Sequence, residues 1–246
     1  MPTNAHNGRR VLVTGGTSGI GKAVVQQLVV EGARVWIVGT TGSGVADAVD
    51  ATGAAGGTPA DVADEGAVIR AYDAMTAALG GVDAAFVNAG IDGEGVAATE
   101  IRAEHALRVM AVNVVGALLT AREAARRIAG PGRICFNASV NGLRPEADFA
   151  DYNASKAAVI ALAKTMALEL APRQIAVTAV CPGYFPSRMT APYLDDPSTR
   201  AGIEALIPAG RVGDLTEVAA LVSFLLGAAA GFCTGGVYTI DGGRSI

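Results

Sequence analysis

The sequence contains few aromatic residues, few charges and few cysteines. Of its 246 residues, 5% are aromatic and 17% are charged, and 19 Lys and Arg stand against 23 Asp and Glu. The resulting net charge of -4 provides no basic excess to attract a phosphate backbone, which disfavours nucleic-acid binding. Cys135, Cys181 and Cys233 are widely spaced in apolar surroundings, a pattern typical of reduced thiols rather than of a disulfide framework or a metal site.

The chain also lacks the apolar segments that direct a protein to a membrane. Its polar beginning, residues 1–10, leads directly to Val11 and has no apolar core of a secretion signal. The longest uncharged run, 218–240, is broken by four glycines and predicts a buried helix, a turn and a buried strand. With the reduced thiols, these features predict a cytoplasmic protein without a membrane partner.

Short runs rich in Val and Ile alternate with longer amphipathic stretches along the whole chain. This pattern predicts an α/β fold in which helices cover both faces of a doubly wound, mostly parallel sheet. Because no linker interrupts it, residues 1–246 are predicted to form one domain. The predicted strands are 11–14, 35–38, the stretch before Asp61, 84–88, 133–137, 175–180 and 237–240, and helices are predicted to begin near Gly19, Asp64, Ala103, Tyr152 and Leu215.

One segment departs from this alternation. Five prolines fall within residues 182–210, mixed with aromatic residues and methionine. A long irregular segment inside a compact domain is usually functional. We therefore predict a substrate lid at about 184–210.

A glycine-rich segment, TGGTSGIG at 14–21, follows the first predicted strand and opens the first predicted helix. Glycines there allow the backbone to approach a pyrophosphate, whose charge is stabilised by the amide groups at the helix N-terminus. The alternative is an ordinary glycine-rich turn, and the position between strand and helix favours nucleotide binding. The predicted phosphate-binding residues are Gly15, Thr17, Ser18, Gly19, Ile20 and Gly21.

The second chemical signal is a tyrosine and a lysine on one helix face. Tyr152 and Lys156 are four residues apart, so their side chains project one turn from each other, and a neighbouring ammonium is expected to lower the pKa of the phenol. Ser139, at the end of a predicted strand, can hold a substrate oxygen against that tyrosine. Asn113 is predicted to order a water that links Lys156 to solvent. The alternative for either polar residue is a structural cap.

The choice between NAD and NADP is normally made at the end of the second strand. An acidic residue there binds the ribose hydroxyls of NAD, and a basic residue binds the 2′-phosphate of NADP. Here residues 39–44 offer only glycines and hydroxyl groups. Because no carboxylate repels a phosphate, we predict NADP in preference to NAD, held by Thr40 and Thr41, although the missing arginine favours the alternative.

These motifs together resemble the short-chain dehydrogenase/reductase family over almost the whole chain. The resemblance rests on the glycine segment, Asp61-Val62, Asn88-Ala89-Gly90, Asn113, Ser139, Tyr152 with Lys156, Pro182-Gly183 and the ending 234–243. It implies a seven-stranded Rossmann-type sheet and a homotetramer. It also implies a catalytic set of Asn113, Ser139, Tyr152 and Lys156, and cofactor contacts from Asp61, Val62, Asn88, Ala89, Gly90, Tyr152, Lys156, Pro182, Gly183, Phe185 and Ser187.

The sequence therefore predicts an NAD(P)-dependent oxidoreductase that interconverts a ketone and a secondary alcohol on a small molecule. The predicted substrate-binding residues are Ser139, Asn141, Phe149, Tyr152, Tyr184, Met189 and Tyr193. One alternative is a 3-oxoacyl-acyl-carrier-protein ketoreductase, with Arg127 and Arg173 placed to dock an acyl carrier protein. Against it, Glu146, Asp148 and Asp151 would repel a phosphopantetheine arm if they face the cleft. A second alternative is a nucleotide-sensing regulator without catalysis, which has no need of the catalytic set.

Overall fold

The computed structural model describes residues 5–246, and the strands in this part of the chain form one parallel sheet. Its order is β3-β2-β1-β4-β5-β6-β7, and all neighbouring strands run parallel. The arrangement is the predicted doubly wound α/β fold. The strands are β1 (Arg10–Thr14), β2 (Arg34–Gly39), β3 (Gly56–Pro59), β4 (Ala84–Val87), β5 (Gly132–Asn137), β6 (Ile175–Pro182) and β7 (Val237–Ile240).

Helices cover both faces of the sheet. They are α1 (Gly19–Val30), α2 (Gly42–Thr52), α3 (Glu65–Leu79), α4 (Ala103–Met110), α5 (Ala117–Arg127), α6 (Ala150–Leu170), α7 (Ala191–Leu194), α8 (Pro197–Ala205) and α9 (Leu215–Leu226). One core packs α1 and α9 against the sheet through residues such as Leu28 and Val222. The other packs α3, α5 and α6 through Tyr72, Ala124 and Ile160. Because both faces are covered, the central strands are mostly buried and apolar on both sides instead of alternating.

The predicted helix starts agree with the structure to within two residues. Asp64 is the N-cap of α3, where its carboxylate accepts a hydrogen bond from the Ala67 amide at 3.1 Å. Tyr152 lies two residues inside α6, which begins at Ala150. The last strand differs from expectation, because β7 lies at the edge of the sheet and is partly exposed rather than buried.

The helices α2, α7 and α8 were not predicted, and α5 continues from α4 through a π-helical turn. Thr41 caps α2 by accepting the Gly44 amide at 3.2 Å, although the glycines in its first turn have low helix propensity. The predicted lid contains α8, whose start is an Asp196 cap that accepts the Thr199 amide at 2.8 Å, followed by proline at the first helical position. The proline-rich segment is therefore partly helical.

The three cysteines are free thiols, two of them fully buried and Cys233 partly exposed. Within residues 5–246, no helix is long and apolar enough to cross a bilayer. The same part of the chain holds no group of three side chains placed to ligate a metal ion.

Candidate active site

The strand order reverses between β1 and β4, and a cleft of about 340 Å³ opens at the carboxyl ends of these strands. Ligands of open α/β sheets bind at such a switch point. The residues that follow β1, β4, β5 and β6 all line the cleft. The topology thus gathers segments that are far apart in the sequence.

The glycine loop forms one wall of the cleft through its backbone. Gly15 and Gly19 adopt left-handed φ angles of 65° and 51°, which favour glycine. A side chain at Gly21 would bring its Cβ within 2.2 Å of the Gly15 carbonyl oxygen. The N-cap Ser18 makes no side-chain cap hydrogen bond, and the first amides of α1 lack intrahelical partners. This cradle fits the pyrophosphate of a dinucleotide.

A chain of hydrogen bonds connects the glycine loop to Lys156. The Asn88 side-chain amide donates to the carbonyls of Thr14 at 2.9 Å and Gly15 at 3.2 Å. The Asn88 side-chain oxygen accepts from Asn137 Nδ2 at 2.8 Å, and the Asn137 carbonyl accepts from Lys156 Nζ at 2.9 Å. The network therefore fixes Lys156 relative to the loop.

Asn113 lies in a π-helical turn, Ala111–Gly116, that joins α4 to α5. Its side chain is buried, accepts from the Ile91 amide at 2.8 Å, and donates to the Ile91 carbonyl at 2.9 Å and to Ser155 Oγ at 3.0 Å. These contacts leave one acceptor position of the Asn113 carboxamide free, and the ordered water stays a prediction. Asn113 thus braces the segment after β4 against α6.

Tyr152, Lys156 and Ser139 converge as predicted, but the ionisation differs from the expectation. Lys156 Nζ lies 5.5 Å from the centroid of the Tyr152 ring. Burial raises the pKa of Tyr152, with Ser139 opposing this effect, and burial lowers the pKa of Lys156 to about 8. For the protein groups alone, burial therefore moves the pKa of the phenol in the direction opposite to the expected one. At neutral pH the phenol is protonated.

The cleft gathers most of the residues predicted to bind the cofactor. The predicted cofactor-binding residues that line it are Gly15, Thr17, Ser18, Gly19, Ile20, Gly21, Asn88, Ala89, Gly90, Tyr152, Lys156, Pro182, Gly183, Phe185 and Ser187. Four others, Thr40, Thr41, Asp61 and Val62, are not part of this lining. Thr40 and Thr41 are exposed at the end of β2, and the Asp61 carboxylate accepts a hydrogen bond from Arg108 at 2.9 Å.

A smaller cavity of about 70 Å³ adjoins the cleft. All seven residues predicted to bind substrate line it, namely Ser139, Asn141, Phe149, Tyr152, Tyr184, Met189 and Tyr193. The Phe149 and Tyr193 rings pack edge to face with centroids 6.2 Å apart. The segment that follows β5 and the proline-rich segment 182–210 thus meet at this cavity.

Of the three acidic residues before the tyrosine, only Glu146 lines the cavity. Its carboxylate is paired with Arg244 at 3.1 Å, so its charge is balanced. Asp151 is buried, where it accepts from the Tyr152 amide at 2.8 Å and contacts His105 Nδ1 at 3.0 Å. Asp148 is exposed outside the cavity. Of the three residues predicted to repel a phosphopantetheine arm, only Glu146 therefore faces the cavity, and Arg244 balances its charge.

Several residues of the site were not predicted from the sequence. Asn137 and Arg188 line the cleft, and Asp92 lines the cavity. Asn137 ends β5 after the apolar run 134–136, and a polar residue at that position is the one available sequence signal. Asp92 and Arg188 have no motif of their own, because their positions depend on how the loop after β4 and the lid fold.

Comparison with known proteins agrees with this geometry. Residues 15–245 match the family model described as enoyl-(acyl carrier protein) reductase. A crystal structure of a short-chain type dehydrogenase/reductase from Mycobacterium marinum superposes with a TM-score of 0.91 at 35% identity, covering 98% of this chain and 96% of that chain. The chain belongs to the short-chain dehydrogenase/reductase family.

Other members of this family resemble the chain over almost its full length. The 3beta-hydroxysteroid dehydrogenase 1 of Eggerthella lenta is 37% identical over 97% of this chain and 94% of its own length. The 3-oxoacyl-[acyl-carrier-protein] reductase MabA of Mycobacterium tuberculosis is also 37% identical, over 97% of this chain and 93% of its own length. A Pseudomonas aeruginosa RhlG/NADP active-site complex has a TM-score of 0.93 at 33% identity and full coverage of both chains.

Membership in the short-chain dehydrogenase/reductase family confirms the predicted fold and the predicted reaction class. The chain is an enzyme, an oxidoreductase that interconverts a ketone and a secondary alcohol with NAD or NADP. Its substrate is a small molecule. This excludes the alternative of a nucleotide sensor without catalysis.

Proposed function

We propose that the enzyme reduces a small-molecule ketone, with Tyr152 as the general acid and Ser139 as the residue that polarises the carbonyl. One observation carries the proposal, because these two side chains line both the dinucleotide cleft and the substrate cavity. A carbonyl held at that junction would contact the cofactor on one side and both hydroxyls on the other. Asn113 and Lys156 complete the proposed catalytic set.

The nicotinamide, when bound, supplies the hydride that adds to the carbonyl carbon. The chain's own residues handle the oxygen. Ser139 Oγ donates a hydrogen bond to it, and the Tyr152 hydroxyl transfers its proton to form the alcohol. Because reduction consumes a proton and alcohol oxidation releases one, reduction is expected to be favoured at low pH and alcohol oxidation to increase as the pH rises.

We propose NADP as the preferred cofactor. No carboxylate stands at the end of β2, where Thr40 and Thr41 precede the N-terminus of α2, and exposed amides at such a terminus attract a phosphate. Calorimetric titration with NADPH and NADH tests this directly, and tighter NADH binding would overturn it. Thr40→Asp should reverse the preference by repelling the 2′-phosphate, while Thr40→Asn, without the charge, should largely keep it.

Turnover should be tested with the preferred cofactor on a panel of small ketones. Reduction of at least one ketone by the native chain, lost in Tyr152→Phe, is the expected result. Reduction that persists in this variant would contradict the role of the phenol. The absence of reduction of every ketone, with rapid oxidation of the corresponding alcohols, would contradict the proposed direction.

The second candidate substrate is an acyl chain on a carrier protein, favoured by the relatives named as 3-oxoacyl-[acyl-carrier-protein] reductases. The proposed docking arginines are engaged elsewhere. Arg127 pairs with Asp73 at 2.7 Å and with Glu123, and Arg173 donates to the Ala125 carbonyl at 2.7 Å. Activity on an acyl carrier protein substrate that exceeds activity on the free ketone would establish this candidate instead.

We also propose a homotetramer in the cytoplasm. Apolar residues on α4 and α5 are exposed, among them Leu107 and Leu118, and such a face is suited to contact another copy. Light scattering measures the assembly. The free buried thiols support a reducing compartment, which fractionation of the producing cells would test.

A further inference from the structure

A carboxylate with unused hydrogen-bonding capacity lines the substrate cavity. Asp92 lies just beyond the Asn88-Ala89-Gly90 segment and is partly buried. Its Oδ1 accepts from the Gly93 amide at 2.9 Å, and its Oδ2 accepts from the Tyr193 hydroxyl at 3.3 Å. Because a carboxylate offers about four acceptor positions, this one can accept further hydrogen bonds from a substrate.

The second carboxylate of the cavity is already satisfied. Both oxygens of Glu146 lie 3.0 Å from the Tyr184 hydroxyl, and one accepts from Arg244 at 3.1 Å. Within the part of the chain that the structure describes, no arginine or lysine forms an equivalent ion pair with Asp92. The two acidic side chains of one small cavity therefore differ, and only Asp92 offers free acceptors.

A substrate that satisfies Asp92 must donate a hydrogen bond. A carboxylate or an acyl chain has no donor, and either would leave the charge of Asp92 unpaired and partly desolvated. A hydroxyl and an ammonium both donate, and Asp151 and Lys156 act on Asp92 with opposite charges. A neutral hydroxyl is the better fit because an ammonium loses more hydration on entering so small a cavity.

We propose that Asp92 is a specificity-determining residue that selects ketones bearing a neutral hydroxyl group near the reacting carbonyl, so that the substrate class is that of hydroxyketones and the corresponding polyols. The inference rests on the proposed ketone reduction. The small volume of the cavity, about 70 Å³, suits a compact substrate of this kind. Phe149 and Met189 supply apolar contacts for its carbon atoms.

Four probes with one skeleton test the proposal, namely hydroxyacetone, butanone, aminoacetone and pyruvate, each reduced with the preferred cofactor. A fifth and sixth probe, dihydroxyacetone and pentan-3-one, repeat the hydroxyl-to-methyl comparison on both sides of the carbonyl. Because a hydrogen bond to a charged group is strong, we expect kcat/KM to be about tenfold or more higher for each hydroxylated ketone than for its methyl analogue. Most of the difference should appear in KM.

Variants of Asp92 separate specificity from catalysis. Asp92→Leu should remove the preference by lowering kcat/KM for hydroxyacetone about tenfold while leaving that for butanone within about threefold. Asp92→Asn keeps one acceptor and should lie between the two. The matched control is Asp148→Asn, which changes the same charge on an exposed residue outside the cavity and has a φ of 66° that asparagine tolerates.

The outcomes that would contradict the role of Asp92 differ from those that would contradict ketone reduction. Equal kcat/KM for hydroxylated and methyl ketones, or a preference that survives Asp92→Leu, would overturn the inference while leaving ketone reduction intact. A preference for aminoacetone would show that Asp92 selects a cation instead of a neutral hydroxyl, and would overturn the inference. Failure to reduce any of the six ketones would count against the proposed function itself, and the inference would fall with it.

Discussion

The two cavities that meet at Tyr152 are shaped by different parts of the chain. The cofactor cleft is shaped by main-chain atoms, since Gly15, Gly19 and Gly21 leave room where side chains would collide. The substrate cavity is shaped by side chains from separate segments, among them Asp92 and Tyr193. A backbone cradle tolerates little variation and leaves a short motif in the sequence. A side-chain cavity can vary without changing the fold, so it carries the individual chemistry of the enzyme.

The largest effect should come from the junction that the two cavities share. Tyr152→Phe removes the proton donor while keeping the ring, and we expect kcat to fall by a factor of about 10³ or more. Cofactor affinity, measured by calorimetry, should change less than about threefold, because the glycine cradle and Lys156 remain. This result would show that proton transfer depends on the Tyr152 hydroxyl, which lines both cavities.

The control for this substitution is Tyr238→Phe, which removes a hydroxyl whose one hydrogen bond within residues 5–246 goes to the Cys233 carbonyl, at 3.4 Å. It should leave kcat unchanged. If Tyr152→Phe instead weakened cofactor binding as strongly as turnover, the main role of the phenol would be to bind the cofactor. Tyr152 would then be part of the cofactor cleft alone.

The next effect is on stability, because the cofactor cleft buries the charge of Lys156. Burial lowers the pKa of Lys156 from its usual 10.5 to about 8, so the folded chain binds this proton less tightly than the unfolded chain. Stability is therefore reduced below pH 8 and recovers as the pH rises towards 10.5. Lys156→Met should abolish turnover yet raise the free energy of unfolding by about 2 kcal/mol at pH 7, after loss of the hydrogen bond to Asn137.

Denaturant unfolding at pH 7 and pH 10 measures this effect. The gain from Lys156→Met should shrink at the higher pH, where the lysine of the native chain is mostly neutral. A variant less stable than the native chain at pH 7 would show that the contact with Asn137 outweighs the cost of burying the ammonium.

The same contrast explains what could be predicted from the sequence. The glycine loop and the tyrosine with its lysine follow from local spacing, so they were placed correctly. Asn137 was missed because its contacts with Asn88 and Lys156 join three strands or helices that are distant in sequence. The helix α2 was missed because its glycines obscure the Thr41 cap. The ionisation of Tyr152 depends on burial, which spacing does not reveal.

A smaller effect is expected when the backbone cradle is disturbed. Gly19→Ala places a side chain at a φ of 51° with its Cβ 3.0 Å from that of Ser187. The strain of roughly 1–2 kcal/mol should shift the loop and weaken cofactor binding about tenfold, with little change in selectivity among ketones. Gly8→Ala is the matched control, since its φ is 71° and nothing lies within 4 Å. It should lose comparable stability and keep full cofactor affinity.

The smallest effect should come from the substrate side. Tyr184→Phe removes the donor that lies 3.0 Å from both oxygens of Glu146, but Arg244 still balances that carboxylate. Because Glu146 is partly exposed and keeps its charged partner, we expect KM for the best ketone to rise about threefold with kcat unchanged. Steady-state kinetics measures both constants. A loss of kcat approaching that of Tyr152→Phe would mean that Tyr184 takes part in proton transfer. The substrate cavity would then contribute to the chemical step and not only to the choice of substrate.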